Sequence, residues 1–202
     1  MANPLQVIRD KISQMNRRQR LAIAFWALSA AGILLIILVA VQVWLPNRFI
    51  AYDNSRWGVS LKYPAGWRKI ENNAAVAAAF LSPKEGALDV FQENVTVIVH
   101  DLSAKPMSLK VYTDTAVKQV QAVFKDGISV IESAPTFCAG ETAHKFVYEG
   151  RDKNNPDLNL KAMHVWFIKD NRAYQFNYIA LEKKFDKYLA AVEKMMSSLK
   201  VK

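Results

Sequence analysis

The side chains able to do chemistry are few. The chain has three histidines, His100, His144 and His164, and one cysteine, Cys138. His100 precedes Asp101, and His144 and His164 fall inside strand-like runs, the first of which ends at Glu149. Three imidazoles on one sheet, with Glu149 or Asp101 as a further ligand, would make a zinc or manganese site if their faces converged. They lie far apart and form no short ligand motif, so a structural or surface role is expected, and no metal or cofactor is assigned. Nothing adjacent to Cys138 would favour its thiolate, which points to a small buried or turn thiol rather than a nucleophile. No Gly-x-Ser-x-Gly elbow frames a serine, and no glycine-rich phosphate loop is present. Glu141, Glu149 and Asp152 read as loop or edge residues rather than an acid–base pair in a cleft. Trp57, Trp67 and Trp166 read as core or sheet-face residues. The expectation is a protein that is not an enzyme.

Charge narrows the partners. The 202 residues carry a net +9, unevenly spread. Residues 1–48 hold Arg9, Lys11, Arg17, Arg18, Arg20 and Arg48 against Asp10 alone, leaving 21 basic and 17 acidic residues for the remainder. The high pI therefore comes largely from one flank and does not read as a nucleic-acid footprint. With one cysteine, neither an intrachain disulfide nor a cysteine-rich zinc site is available.

That flank surrounds residues 21–45, twenty-five residues without a charge. As a helix they would extend ~37 Å, enough to cross a ~30 Å hydrocarbon core. Trp26 and Trp44 lie near the two ends, where indoles suit the lipid–water interfaces. The expectation is a transmembrane helix over 21–45. Arg17, Arg18 and Arg20 precede it, so the positive-inside bias places the N-terminus in the cytoplasm and the C-terminal domain outside it, in periplasm or thylakoid lumen. The apolar run exceeds a cleavable signal's core and does not resemble an organelle transit peptide, which favours an uncleaved anchor and a bacterial source. Ala27, Ala31 and the adjacent Gly32 have a spacing that permits close helix packing. Upstream, residues 1–20 form a basic segment in which Leu5, Ile8, Ile12 and Met15 mark one apolar stripe. Pro46 ends the span, and 46–56 reads as a short tether. A domain on so short a lead works near the bilayer, so lipid and an integral membrane protein complex are the expected partners.

The domain, 57–202, shows both periods. Val59, Leu61 and Tyr63 alternate in a strand ended by Pro64 and Gly66. Residues 74–81 are apolar and short, and the period leaves helix or strand open. Val95, Val97 and Val99 mark a strand over 94–102. Ser108 reads as an N-cap for a helix carrying Leu109, Tyr112, Ala116, Val120 and Val123, with Gly127 as its stop. Strands follow at 128–133 and 141–149, the second with His144, Phe146 and Tyr148 on one face. Residues 158–169 and 172–181 flank Asp170-Asn171 and should pair as a hairpin, and 150–157 is the expected mobile excursion. A last helix carries Phe185, Tyr188, Leu189, Val192, Met196 and Leu199 in one stripe. The economical packing is an α+β sandwich with helices on an antiparallel sheet.

Three stretches carry a resemblance: Gly58-Val59-Ser60-Leu61-Lys62-Tyr63-Pro64-Ala65-Gly66-Trp67, then Phe80-Leu81-Ser82-Pro83, then Asp89-Val90-Phe91-Gln92-Glu93-Asn94-Val95-Thr96-Val97. Over roughly residues 55–200 the domain resembles the PsbP family of extrinsic photosystem II proteins and their bacterial relatives. The resemblance implies an α/β/α sandwich around an antiparallel sheet and a largely non-catalytic role, docking on membrane complexes or helping their assembly. No metal residue is carried over. The chain departs from the family in its apparent transmembrane anchor, which favours a built-in accessory subunit or assembly factor. The alternative is an anchored envelope module that binds a small ligand or a metal.

Overall fold

The structure is a computed structural model that describes residues 16–18, 21, 25–26, 28–29, 31–37, 48–70, 76–87, 89–124, 127–152 and 155–202. Met1–Asn47 and Arg48–Lys202 form two units.

In the first unit the longest unbroken described helical run is 31–37. No helix among the described residues is long and apolar enough to cross a membrane. This overturns the expected transmembrane helix over 21–45, and with it the single-pass localisation that placed the C-terminal domain outside the cytoplasm. Arg17, Arg18 and Trp26 are exposed, and Ala31 and Gly32 lie in the helical run. A Cβ at Gly32 would meet nothing within 4 Å. Arg20, Ala27 and Trp44 lie outside the described residues, as does the stripe of Leu5, Ile8, Ile12 and Met15.

The second unit begins earlier than the composition suggests. Phe49–Asn54, expected within the tether, is strand β1, paired antiparallel with β2 (Val59–Pro64). Val59 and Leu61 are buried, as the alternation requires. β10 (Lys200–Val201) completes a three-stranded sheet in the order β1-β2-β10. A second sheet has seven strands in the order β3-β4-β5-β9-β8-β7-β6. Its members are β3 (Arg68–Lys69), β4 (Ala78–Leu81), β5 (Asn94–Asp101), β6 (Ser129–Cys138), β7 (Glu141–Arg151), β8 (Asn159–Lys169) and β9 (Arg172–Leu181). The open reading of 74–81 resolves to strand at Ala78–Leu81, which pairs with β5 through Phe80↔Val95.

Two hairpins set the register. Asp170 and Asn171 take φ of 48° and 54°, the paired positive dihedrals of a two-residue turn whose twist matches its strands. Ala139 and Gly140 do the same between β6 and β7, with φ of 53° and 83°. β6 runs past the expected end at Ser133 and through Pro135 to Cys138. It is the edge of the sheet, so the missing proline N–H costs no ladder bond. The strand also bulges between Val130 and Glu132.

Helices cover the two faces. α1 (Leu109–Val123) starts at Ser108, whose hydroxyl accepts the Val111 N–H. It ends at Phe124, not Gly127: Phe124 turns extended and its ring meets Tyr148 edge-on at 5.5 Å. Tyr112 and Ala116 of α1 pack on Phe146, Tyr148, Ala162 and Trp166 of the sheet. α2 (Phe185–Ser197) follows a 3-10 turn, Glu182–Lys184. It buries Phe185, Val192 and Met195 against the opposite face, over Val97, Val165, Phe167 and Phe176 and beside the small sheet's Val59 and Leu61. Met195 fills the central position that the sequence stripe gave to Met196, which is only partly buried.

Candidate functional site

The densest charged cluster joins two distant parts of the chain. After β4, the Ser82 N–H donates to the Glu93 carbonyl at 2.8 Å, and the Ser82 hydroxyl donates to Glu93 Oε2 at 2.9 Å. Gln92 Nε2 donates to the Ser82 carbonyl at 2.6 Å. These bonds close the loop between β4 and β5 at its neck. Its acidic side chains then turn to the start of α2. Lys184 Nζ lies 2.8 Å from Asp89, 3.7 Å from Glu85 and 3.8 Å from Glu93. Lys187 reaches Glu85 at 2.9 Å, and the Tyr188 hydroxyl donates to it at 2.6 Å. Tyr188 also stands edge-on to Trp67, 5.7 Å between centroids.

Glu93 is fully buried and its Oε1 has no hydrogen bond, so Lys184 supplies the positive charge that compensates it. The Tyr188 hydroxyl, then Lys187, hold the Glu85 carboxyl below its ordinary range. Lys184, then the Glu85 N–H, do the same for Asp89. Lys184 is raised in turn, chiefly by its bond to Asp89. Three carboxylates share two ammonium groups and a phenol, which clasps the loop instead of leaving a free base. Beside the clasp an open cavity of about 250 Å³ is lined by Asp89, Val90, Leu181 and Lys183. It shares Val90, Leu181 and Lys183 with a second of about 420 Å³, which shares Asn159 and Glu182 with a third of about 780 Å³ reaching Ile128 and Arg151. Together they form a groove along one end of the sheet.

The histidines lie elsewhere. Cross-strand partners share a face, and His144 faces Trp166 while His164 faces Phe146, so both are on the α1 side. His100 joins them, its Nδ1 2.9 Å from the Tyr112 hydroxyl, which also accepts from Gln175 Nε2 at 2.8 Å. His144 Nε2 is 2.9 Å from the Ser133 hydroxyl, and its ring stacks on Trp166 at 5.5 Å. His164 Nε2 is 3.4 Å from the Tyr148 hydroxyl. Trp166 Nε1 donates to Thr113 of α1 at 2.8 Å. The faces do converge, but the imidazoles are spread over three strands and each meets a hydroxyl. Among the described residues no group of three His, Cys, Asp or Glu side chains could hold a metal.

The remaining candidates are structural. Cys138 is buried at the end of β6, where burial pushes its thiol up to about 11. Glu141 and Glu149 pair across strands with Lys169 and Lys161. Asp152 sits in the turn after β7, its N–H donating to the Leu158 carbonyl at 2.9 Å. Sequence reasoning missed Lys184, Glu85, Asp89 and the buried Glu93. A signal existed, because Ser82 and Glu93 lie within the stretches that carry the family resemblance.

An antiparallel sheet faced by one helix on each side, with its charged cluster spent on a loop clasp, defines an α+β domain of the PsbP type. The PsbP family profile matches residues 47–201, and the chain belongs to that family. Among solved structures it is similar to cyanobacterial PsbP from Synechocystis sp. PCC 6803, at 16% identity and a TM-score of 0.54, covering 76% of this chain and 92% of that one. It is also similar to LpqN, involved in cell envelope biogenesis of Mycobacterium tuberculosis, at 11% identity and 0.55, covering 76% and 90%. The Ran-binding protein Mog1p of Saccharomyces cerevisiae matches at 10% identity and 0.53, covering 76% and 95%. At these identities the likeness is one of fold. No curated protein matches by sequence.

Proposed function

We propose that this chain is a non-catalytic accessory subunit or assembly factor that docks through its PsbP domain on a membrane protein complex. The observation that carries the reading is the commitment of its reactive side chains to structure. His100, His144 and His164 each meet a hydroxyl, and Lys184 and Lys187 are engaged by the carboxylates of one loop. The groove beside that loop is open to solvent along one end of the sheet, which leaves it accessible to a partner's surface. Family membership supports the same reading. The test is affinity purification of the tagged full chain from its native cells after mild cross-linking. Recovery of a defined complex in fixed stoichiometry is the expected result. A chain that elutes alone, cross-linked to nothing, would overturn the proposal.

A further inference from the structure

The chain's histidines all lie on one face of one sheet, although they come from β5, β7 and β8. That face is covered by α1. Its alternating positions on β5, β7, β8 and β9 carry no Asp, Glu, Lys or Arg, as the strand registers show. The opposite face holds the ion pairs Glu132–Lys145, Glu141–Lys169 and Glu149–Lys161. On α1, Lys110 and Asp114 pair with each other in solvent, and Lys118 is exposed. Asp101, next to His100, accepts the Ser103 N–H at 2.8 Å. Among the described residues the groups that face the imidazoles are therefore neutral: Tyr112 from α1, Ser133 from β6, Tyr148 from β7, Trp166 from β8 and Gln175 from β9. Asn177, opposite His164, brings a neutral amide rather than a carboxylate.

We propose that α1 is an acid-released cover: protonation of the histidines on the sheet face opens α1 from β7–β8 while α2 stays closed. His164 dominates, because it is wedged between Tyr148 and Trp166 with ring centroids at 5.4 and 6.5 Å. Burial lowers its pKa to about 4, and lowers those of His100 and His144 as well. A histidine with a depressed folded pKa contributes its full stability above its unfolded value of about 6.5. That contribution is lost as pH falls from there towards the folded value, so the opening equilibrium should rise between pH 7 and 4.5, by up to roughly 50-fold where opening returns His164 to its unfolded value. The helix itself adds little resistance, having no acidic residue in its first turn and no basic residue in its last. What opens is the layer of Tyr112, Tyr148, Phe146 and Trp166, separate from the core under α2.

The test is hydrogen exchange on the full chain, read by mass spectrometry at both pH values and corrected for intrinsic rates. α1 amides should lose protection, by up to roughly 50-fold, while α2 amides keep theirs, and His164→Gln should remove most of that loss. Unchanged α1 protection, an equal loss in α2, or a wild-type loss in His164→Gln would each overturn the proposal. If His164→Gln does not fold, NMR titration of the wild-type imidazoles decides. A His164 pKa well below its unfolded value supports the cover, and one at or above it sinks the idea.

Discussion

On its α2 side the seven-stranded sheet meets its surroundings through charge; on its α1 side it meets them through hydroxyls, indole and imidazole. The α2 side carries three cross-strand ion pairs, and α2 starts at the Lys184–Asp89–Glu93 clasp. The α1 side is tied by Tyr112 to His100 and Gln175, and by Thr113 to Trp166. Each arrangement leaves one buried oxygen without a hydrogen bond, Glu93 Oε1 on the first side and Asn177 Oδ1 on the second, but the two respond to opposite conditions. Glu85 and Asp89 have lowered folded pKa values, so their contribution is complete above their unfolded range near 4 and disappears only as pH falls below it. Neutral histidines give way in the window above that. One sheet thus has a face indifferent to mild acid and a face sensitive to it.

The comparison is broken most severely by Lys184→Met, which leaves Glu93 buried with no compensating charge. We expect a loss of about 4 kcal/mol in urea unfolding, and partial recovery when Glu93→Gln is added. No recovery would mean that the clasp does not work through charge. Gly150→Ala tests the α1 side. An added Cβ would lie 2.8 Å from Phe124 Cδ1, and we expect about 2 kcal/mol of destabilisation with weaker protection at the end of α1. Tyr112→Phe removes a partner of both His100 and Gln175 and should cost about 1 kcal/mol. Its loss should also narrow the difference in α1 protection between pH 7 and 4.5. The smallest effect is expected from Lys145→Ala. Its pair with Glu132 is partly exposed, and about 0.5 kcal/mol, shrinking in salt, is the expected result.

Much of this fold was legible locally. Asp170-Asn171 tolerates positive φ, and the register from Lys169↔Arg172 outward follows from it. Val95, Val97 and Val99 alternate into the core as their spacing requires. The edge of β6 was hidden because Pro135 reads as a breaker until its place at the edge is known. β1 was hidden because Phe49–Asn54 has no clean alternation and lies in a stretch that reads as a lead from the apolar run. The apolar run supported the expectation of a span, whereas no helix among the described residues is long and apolar enough to cross a membrane. The clasp was illegible for a different reason. Lys184 and Asp89 are 95 residues apart, and a lysine ahead of an amphipathic stripe reads as solvated until the fold brings carboxylates to it.

Pro135 and the bulge in β6 have one more consequence. The seven-stranded sheet ends on one side in the two residues of β3 and on the other in a strand with a kink and a missing donor. Neither rim offers an unbroken row of amides for a foreign strand to zip onto. The sheet therefore resists growing into a fibril or borrowing a strand from a neighbour. Whatever attaches at either of these two rims must recognise the shape and chemistry of side chains.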